Sequence, residues 1–310
     1  MSESLREIRI FVAVYEERSF TAAAEREHAT QSGVSQHVRK LEERLGARLL
    51  SRDGGRVSPT PAGDDYYQAC LDVLRAHDRA RQRMARFAKG LHGEVVVGLM
   101  PTMTRSALAP AAERFMRAHP NVALRVIEAY SAELTKAVRA GELDFAIVPG
   151  PVSEAGVRSA PFGRTPELVV SGRRRGLRAF APVRLADLSP VKIVVPGKRN
   201  ARHAHIESYL ASAGVAVSRR LELDSMFGTQ DFVAGTDWIT ILPGIMIVAE
   251  AGKGSLVVNP LIGRPFVLDL VLIEPLRRQM SDPAAAFLQL LRASTNALGR
   301  QVSASLGKAR

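Results

Sequence analysis

Two short helical patterns, separated by only a few residues between Ser19 and Gly46, constrain the fold of this chain most strongly. Each pattern begins with a residue that can cap a helix: Ser19 or Thr21 for the first, and Thr30 for the second. Such close spacing predicts a helix-turn-helix. Gly46 can end the second helix, because glycine readily adopts the left-handed conformation found at helix C-termini.

The second helix has two chemically different faces. Its apolar residues recur every three or four positions and form one stripe that must face a small core: Val34, Val38, Leu41 and Leu45. The residues rotated away from that stripe carry short or planar hydrogen-bonding groups: Gln31, Ser32, Ser35, Gln36 and Arg39. Such groups suit a helix lying in the major groove of DNA, where Gln pairs with adenine and Arg with guanine.

The residues after the second helix predict a wing. Two short extended runs, 48–52 and 56–60, flank the turn signal Asp53-Gly54-Gly55. Arg52 and Arg56 would lie near its tip, where they could reach phosphates or the minor groove. The predicted DNA contacts are therefore Ser19, Thr21, Thr30, Gln31, Ser32, Ser35, Gln36, Arg39, Arg52 and Arg56.

A longer set of residues from Leu5 onward extends this pattern: Phe11, Ser19-Phe20, Ala23-Ala24, Gln31-Ser32, Val34-Ser35, Leu41-Glu42, Leu45-Gly46, Leu49 and Thr60-Pro61-Ala62-Gly63. With them, residues 5–63 resemble the DNA-binding domain of LysR-type transcriptional regulators. Two positions depart from that family's pattern. Leu50 replaces a usual Phe, which is a tolerable core substitution. Glu27 replaces a usual apolar residue, and it would bury a carboxylate unless the helix end is exposed.

A long helix is predicted after the wing, with Thr60 as its cap and Pro61 in its first turn. An apolar stripe follows at spacings of three or four: Tyr66, Ala69, Val73, Ala76, Ala80, Met84, Phe87 and Leu91. One helix cannot bury such a stripe alone. We expect it to pair with its own copy, as the resemblance also implies, and the alternative is packing on another domain of the chain.

Strands and helices alternate beyond residue 93, with strands such as Val122–Glu128 and Val191–Val195. The alternation predicts two α/β lobes with parallel strands, joined by extended segments near 160–165 and 265–269. A weaker resemblance to the family's effector domain implies the fold of periplasmic binding proteins. The predicted fold class is α/β, with a winged helix-turn-helix (1–62), a linker and dimerisation helix (63–91), lobe I (92–162 and 268–310) and lobe II (163–267).

Ligands of parallel sheets bind beyond the carboxyl ends of the strands, near helix N-termini. Segments 101–106, 130–131 and 196–203 occupy such places, and their hydroxyls, N–H groups and cations favour a small anion such as a carboxylate. The predicted effector contacts are Pro101, Thr102, Thr104, Arg105, Ser131, Lys198, Asn200 and Arg202. The alternative for any one of them is a helix cap or part of a solvated basic loop.

Composition narrows the class of protein further. The net charge is +12, but residues 1–90 carry 16 Lys+Arg against 13 Asp+Glu, so bulk charge does not mark the DNA-binding part. A single cysteine excludes an intramolecular disulfide and fits a reducing cytosol. No run approaches the ~20 apolar residues of a membrane helix, and the charged N-terminus does not resemble a signal peptide. No catalytic motif, metal-ligand cluster or dinucleotide fingerprint is present, so no cofactor is expected.

The sequence therefore predicts a cytoplasmic transcriptional regulator that is not an enzyme. Its expected partners are double-stranded DNA, a small-molecule effector and its own copies, with RNA polymerase as a further candidate. The resemblance suggests a dimer of dimers. The alternative is a two-lobed binding protein or enzyme whose N-terminal helices serve oligomerisation only. The polar face from Gln31 to Arg39 argues against it, because an assembly surface would be apolar.

Overall fold

A computed structural model describes residues 3–52, 57–85, 90–198, 200–248 and 254–307, and for residues 81–85 it describes the backbone alone. The predicted wing contact Arg56, the wing turn and Phe87 lie outside these ranges. None of the described helices has the length and apolarity needed to cross a lipid bilayer.

The N-terminal head is a three-helix unit with a short hairpin: α1 (Leu5–Glu17), α2 (Phe20–Arg26), α3 (Gln31–Leu45), β1 (Leu50–Ser51) and β2 (Ser58–Pro59). The predicted caps are confirmed, since Ser19 Oγ accepts from Ala22 N and Thr30 Oγ1 from Gly33 N, both at 3.2 Å. Gly46 ends α3 with a φ of 66°. The predicted core stripe of α3 was wrong at its last residue, because Leu45 is 38 % exposed at the helix end.

The linker helix α4 (Pro61–Ala85) packs one face on the core of the head. Its start is confirmed, since Thr60 Oγ1 accepts from Gly63 N at 3.0 Å. Gly63 itself is required by packing, because an added Cβ would lie 2.0 Å from the Leu49 carbonyl oxygen. The residues of α4 that are buried against the head are Tyr67, Cys70, Leu71 and Leu74.

The apolar stripe predicted for α4 divides in the structure. Tyr66 packs against the head core, and Leu91, beyond the described part of the helix, packs on lobe I. The middle of the stripe faces solvent in this single chain, and it consists of Ala69, Val73, Ala76 and Ala80. One helix thus serves two surfaces, a buried one toward the head and an uncovered apolar one on the opposite side.

Lobe I begins with β3 (Gly93–Leu99), α5 (Pro101–Thr104), α6 (Leu108–Ala118), β4 (Val122–Glu128), α7 (Ser131–Ala140) and β5 (Phe145–Pro149). β6 (Val157–Gly172) leads into lobe II, which contains β7 (Val191–Val195), α8 (Ala201–Ser212), β8 (Val217–Glu222), α9 (Met226–Gly235), β9 (Ile239–Pro243) and α10 (Gly244–Ile247). The chain ends with β10 (Leu256–Pro260), β11 (Val267–Pro275) and α11 (Asp282–Gly307). The predicted strands 122–128 and 191–195 match β4 and β7 from end to end.

In the described chain, nine strands form one mixed sheet in the order β4-β3-β5-β11-β6-β9-β7-β8, with β10 paired to β6. The parallel strands that were predicted are present: β3 pairs with β4 and β5, and β7 with β8 and β9. The sheet also contains antiparallel pairs, because β6, β10 and β11 run antiparallel to their neighbours. β6 pairs with β11 in lobe I and with β9 and β10 in lobe II, so it passes between the lobes.

Ion pairs join the head to lobe I. Arg139 of α7 binds Glu17 of α1 through two hydrogen bonds, at 2.6 and 3.1 Å. Arg75 of α4 donates to the Leu276 carbonyl at 2.9 Å, and the Leu276 side chain packs against the head core. Glu27 lies 3.5 Å from Arg277, so the carboxylate at this usually apolar position has a cationic partner from the other domain.

Candidate DNA-reading helix and effector cleft

The solvent-facing side of α3 carries the groups that were predicted to read DNA. Gln31, Ser32, Gln36 and Arg39 are exposed, whereas Val34, Val38 and Leu41 are buried in the head core. Arg39 makes no ion pair or hydrogen bond with any residue of the described chain, so its guanidinium is available to a ligand. The helix therefore presents side-chain donors and acceptors to solvent on a rigid, packed support.

The side chain of Arg52 lies beside this helix. Its Nη1 donates to Ser35 Oγ at 3.3 Å, and its guanidinium carbon lies 4.4 Å from the centre of the Phe20 ring. Arg39, Arg48 and Arg52 line one concave surface, which Glu42 and Glu43 also border. Three cations beside an exposed polar helix are suited to phosphate oxygens flanking a groove.

Glu42 fixes the angle between α3 and the wing, a role that was not predicted from the sequence. Its Oε1 accepts from the backbone N–H groups of Leu49 and Leu50, at 2.8 and 3.0 Å. The only sequence signal for Glu42 was its presence in the pattern by which residues 5–63 resemble LysR-type regulators. Among the other predicted contacts, Ser19 and Thr30 are both occupied as helix caps, although Thr30 is exposed. Thr21 is exposed on the first turn of α2.

Two contacts close the cleft between the lobes. The Tyr130 hydroxyl, at the end of β4, donates to the Asp224 carbonyl in lobe II. The Arg105 guanidinium lies 4.2 Å from the centre of the Phe227 ring, which is again a contact from lobe I to lobe II. The cavity beside them measures about 20 Å³ and has room for about one water molecule. Burial, followed by the charges of Asp224 and Glu128, raises the pKa of Tyr130, so this hydroxyl remains a donor at neutral pH.

The predicted effector contacts of lobe I surround the start of α5. Thr102 is 2 % exposed, and its hydroxyl makes no hydrogen bond to the described part of the chain. Thr104 donates to the Pro101 carbonyl at 3.3 Å and also contacts Glu128. Ser131 Oγ lies 3.7 Å from the Met100 sulfur. Of these hydroxyls, that of Thr102 has the clearest unmet hydrogen-bonding capacity.

The contacts predicted in lobe II differ in their surroundings. Lys198 is exposed, and Asn200 is buried as the cap of α8, where its Oδ1 accepts from Arg202 N at 3.0 Å. Arg202 is 3 % exposed and donates to both carboxylate oxygens of Glu167, at 2.9 and 2.8 Å. Its charge is thus neutralised within lobe II, which the sequence did not indicate. In the described ranges, no group of three or more His, Cys, Asp or Glu residues could hold a metal ion.

Two family models match the chain. "Bacterial regulatory helix-turn-helix protein, lysR family" covers residues 5–64, and "LysR substrate binding domain" covers residues 88–296. The chain belongs to the LysR family of transcriptional regulators. The head of this LysR-type regulator is its DNA-binding domain, and the two lobes are its effector-binding domain.

Relatives of this LysR-type regulator match over most of its length. It is 27 % identical to the uncharacterized HTH-type transcriptional regulator YfeR of Shigella flexneri, over 96 % of each chain. It is 31 % identical to the HTH-type transcriptional regulator BudR of Raoultella terrigena, over 69 % of this chain and 76 % of the relative. Since these relatives are described as regulators, the expectation of a chain that is not an enzyme is confirmed.

Solved structures share the fold of the LysR-type regulator. A full-length OxyR variant from Pseudomonas aeruginosa aligns with a TM-score of 0.61 at 22 % identity, over 97 % of both chains. Full-length CbnR in complex with its target DNA aligns with a TM-score of 0.55 at 20 % identity, over 94 % of this chain and 100 % of that one. The predicted combination of a helix-turn-helix head and a two-lobed α/β domain is therefore confirmed.

Proposed function

We propose that this LysR-type regulator acts in the cytoplasm as a homodimer, reads an inverted-repeat DNA site with α3, and responds to a small carboxylate bound between its lobes. The observation that carries the DNA-reading part is the exposed polar face of α3, which includes Arg39 and has Arg48 and Arg52 beside it. Gln and Arg side chains on such a face can form bidentate hydrogen bonds to base edges, which distinguish one base pair from another.

The carboxylate proposal rests on donors that follow the carboxyl ends of the neighbouring parallel strands β3 and β4. The Tyr130 and Thr102 hydroxyls and the backbone N–H groups at the start of α7 can each donate to an anion. Lys198 adds a cation in lobe II. Glu128 contacts Thr104, and Arg202 is neutralised by Glu167, so the charge balance suits a ligand with one negative charge better than a highly charged one.

Closure of the cleft leads to a mechanism for the response. A cavity of about 20 Å³ does not admit a carboxylate, so the lobes must separate for the ligand to enter. The ligand would replace the direct contacts of Tyr130 with Asp224 and of Arg105 with Phe227 by contacts through itself. Such a ligand shifts the equilibrium between two arrangements of the lobes by its difference in affinity for them.

Thr102→Val should weaken effector binding, because it removes the unpaired hydroxyl and preserves the side-chain volume. A thermal-shift screen of small carboxylates and aromatic acids would first identify a ligand, since a ligand of the folded state raises the melting temperature. We expect the variant to bind that ligand about 5–10-fold more weakly, as for the loss of one hydrogen bond. Basal DNA binding should remain.

Thr295→Val is the matched control for this experiment. Thr295 is also buried, but it lies in α11, where its hydroxyl donates to the Leu291 carbonyl. This variant should keep the affinity of the wild type for the effector. The cleft assignment would be wrong if Thr102→Val responded at wild-type ligand concentrations, or if it lost DNA binding outright.

A further inference from the structure

A second cavity lies where the head, the linker helix and lobe I meet. It measures about 300 Å³, which is at the lower end of the range for small-molecule sites. We call it the head–lobe cavity. Its charged lining residues are Arg9, Arg26, Glu27, Asp78, Arg277 and Arg278.

Cations outnumber carboxylates among the residues that line the head–lobe cavity: four are arginines, and two, Glu27 and Asp78, are acidic. Carboxylates behind the lining offset part of this charge, because Glu16 and Glu17 lie beside Arg26 and Asp144 beside Arg278. Glu27 is already balanced, because it lies 3.8 Å from Arg26 and 3.5 Å from Arg277. Arg278 is paired with Asp144, but Arg9 has no ion pair within the described chain.

Arg26 is the buried member of this set, with a side chain that is 4 % exposed. Its Nη1 binds Glu17 Oε1 at 3.1 Å, and its Nη2 lies 2.6 Å from Glu16 Oε2 without the geometry of a hydrogen bond. Its Nε has no hydrogen-bond partner among the described residues. A buried N–H group without a partner is unfavourable and is normally satisfied by a ligand or water.

Arg26 and Arg277 also repel each other. Burial, followed by the charge of Arg26, lowers the pKa of Arg277, whereas Glu16 and Glu27 raise it by less. The nearby carboxylates therefore balance the positive charge of Arg277 only in part. A negative charge placed in the cavity would offset this repulsion and supply an acceptor to the unpaired donors.

We propose that the head–lobe cavity is a second ligand site, which binds a compact oxyanion such as phosphate or a small tricarboxylate. The planar guanidinium of arginine matches the oxygens of both groups in bidentate geometry. The effector cleft is a separate site, because none of the residues that line the cavity there lines the head–lobe cavity. The proposal does not depend on what binds in the cleft.

Because the site lies between the head and lobe I, a bound anion would hold these two parts of the chain together. Arg9 and Arg26 belong to the DNA-reading head, whereas Arg277 and Arg278 follow β11 in lobe I. An anion held by both sets joins the head to lobe I, alongside the ion pair of Glu17 with Arg139. Because binding energies at coupled sites are reciprocal, DNA that repositions the head must change the affinity for the anion.

Isothermal titration of the full chain with phosphate, citrate and chloride at constant ionic strength tests the proposal. We expect saturable one-to-one binding of phosphate, citrate or both, and none of chloride. Binding of phosphate alone would indicate a phosphate ligand, and binding of citrate alone would indicate a polycarboxylate. Arg9→Ala should weaken the binding by about fivefold or more, since it removes one charged donor. Arg9 is exposed, so its loss should leave the fold intact.

Arg6→Ala is the matched control, because Arg6 is an exposed arginine of the same helix that does not line the cavity. It should bind the anion like the wild type, as should Thr102→Val and Arg39→Ala, which alter the effector cleft and the DNA-reading face. No saturable binding by the wild type would overturn the proposal. Binding that survives in Arg9→Ala and is lost in Thr102→Val or Arg39→Ala would also overturn it, because the anion would then occupy one of those other surfaces.

Discussion

Val73→Asp combined with Ala76→Asp should convert the regulator to a monomer and weaken its binding to a palindromic site by about 100-fold or more. Both residues belong to the exposed face of α4, and Val73 is 44 % exposed in the single chain. The substitutions should therefore not disturb the fold. In a paired helix each new carboxylate would be buried without a partner, which opposes dimerisation.

The large effect on DNA binding follows from the number of heads that bind. One head offers few base contacts, and joining two heads makes the second binding event intramolecular. The small residues Ala69, Ala76 and Ala80 would let two copies of α4 approach closely beside Val73. Light scattering after size exclusion gives the oligomeric state, and a gel shift on one palindromic site gives the affinity.

Gln68→Asp combined with Arg79→Ala is the matched control, because it changes the net charge by the same two units at exposed positions on a neighbouring face of α4. This control should remain dimeric and bind the palindrome tightly. A Val73→Asp/Ala76→Asp variant that stayed dimeric and bound as tightly as the wild type would show that this face of α4 does not hold two heads together.

Arg202→Met should lower the free energy of unfolding of lobe II by about 3–5 kcal/mol, because it leaves the carboxylate of Glu167 buried without its cation. Both side chains are at most 3 % exposed, and two hydrogen bonds join them. Replacing both partners by apolar residues removes that unpaired charge. Arg202→Met combined with Glu167→Leu should therefore recover most of the lost stability.

Urea unfolding followed by fluorescence measures this effect within lobe II, since the chain has a single tryptophan, Trp238, which packs in that lobe. Arg164→Met is the control: Arg164 binds Asp269 at 2.7 Å, but the side chains are 72 and 56 % exposed, so little stability should be lost. A double variant no more stable than Arg202→Met would show that the buried pair does not act as a unit.

The features predicted correctly from the sequence are those that short segments determine. Ser19, Thr30 and Thr60 cap helices because their hydroxyls reach an N–H group three residues away. The stripe of Val34, Val38 and Leu41 marks the buried face of α3 because a helix repeats every 3.6 residues. Each of these features depends only on residues within one or two helical turns of each other.

The features that were missed depend on distant parts of the chain. Glu27 is compensated by Arg277, and Glu167 pairs with Arg202; neither partner can be identified from local spacing. β10 escaped prediction because it is a short apolar run ending at Pro260, and its antiparallel pairing with β6 is set by tertiary structure. The exposed end of α3 at Leu45 likewise follows from where the head core stops.

Binding of the wild type, Arg39→Ala and Arg52→Ala to a site selected from random DNA, measured by fluorescence anisotropy at several salt concentrations, tests most directly whether α3 reads base sequence. The wild type should prefer the selected site over random DNA. Arg39→Ala should weaken specific binding by about 1–3 kcal/mol and relax the sequence preference. Arg52→Ala should weaken binding to all sequences alike and flatten the salt dependence. If the wild type showed no preference, or if Arg39→Ala kept both affinity and preference, α3 would not be the DNA-reading element.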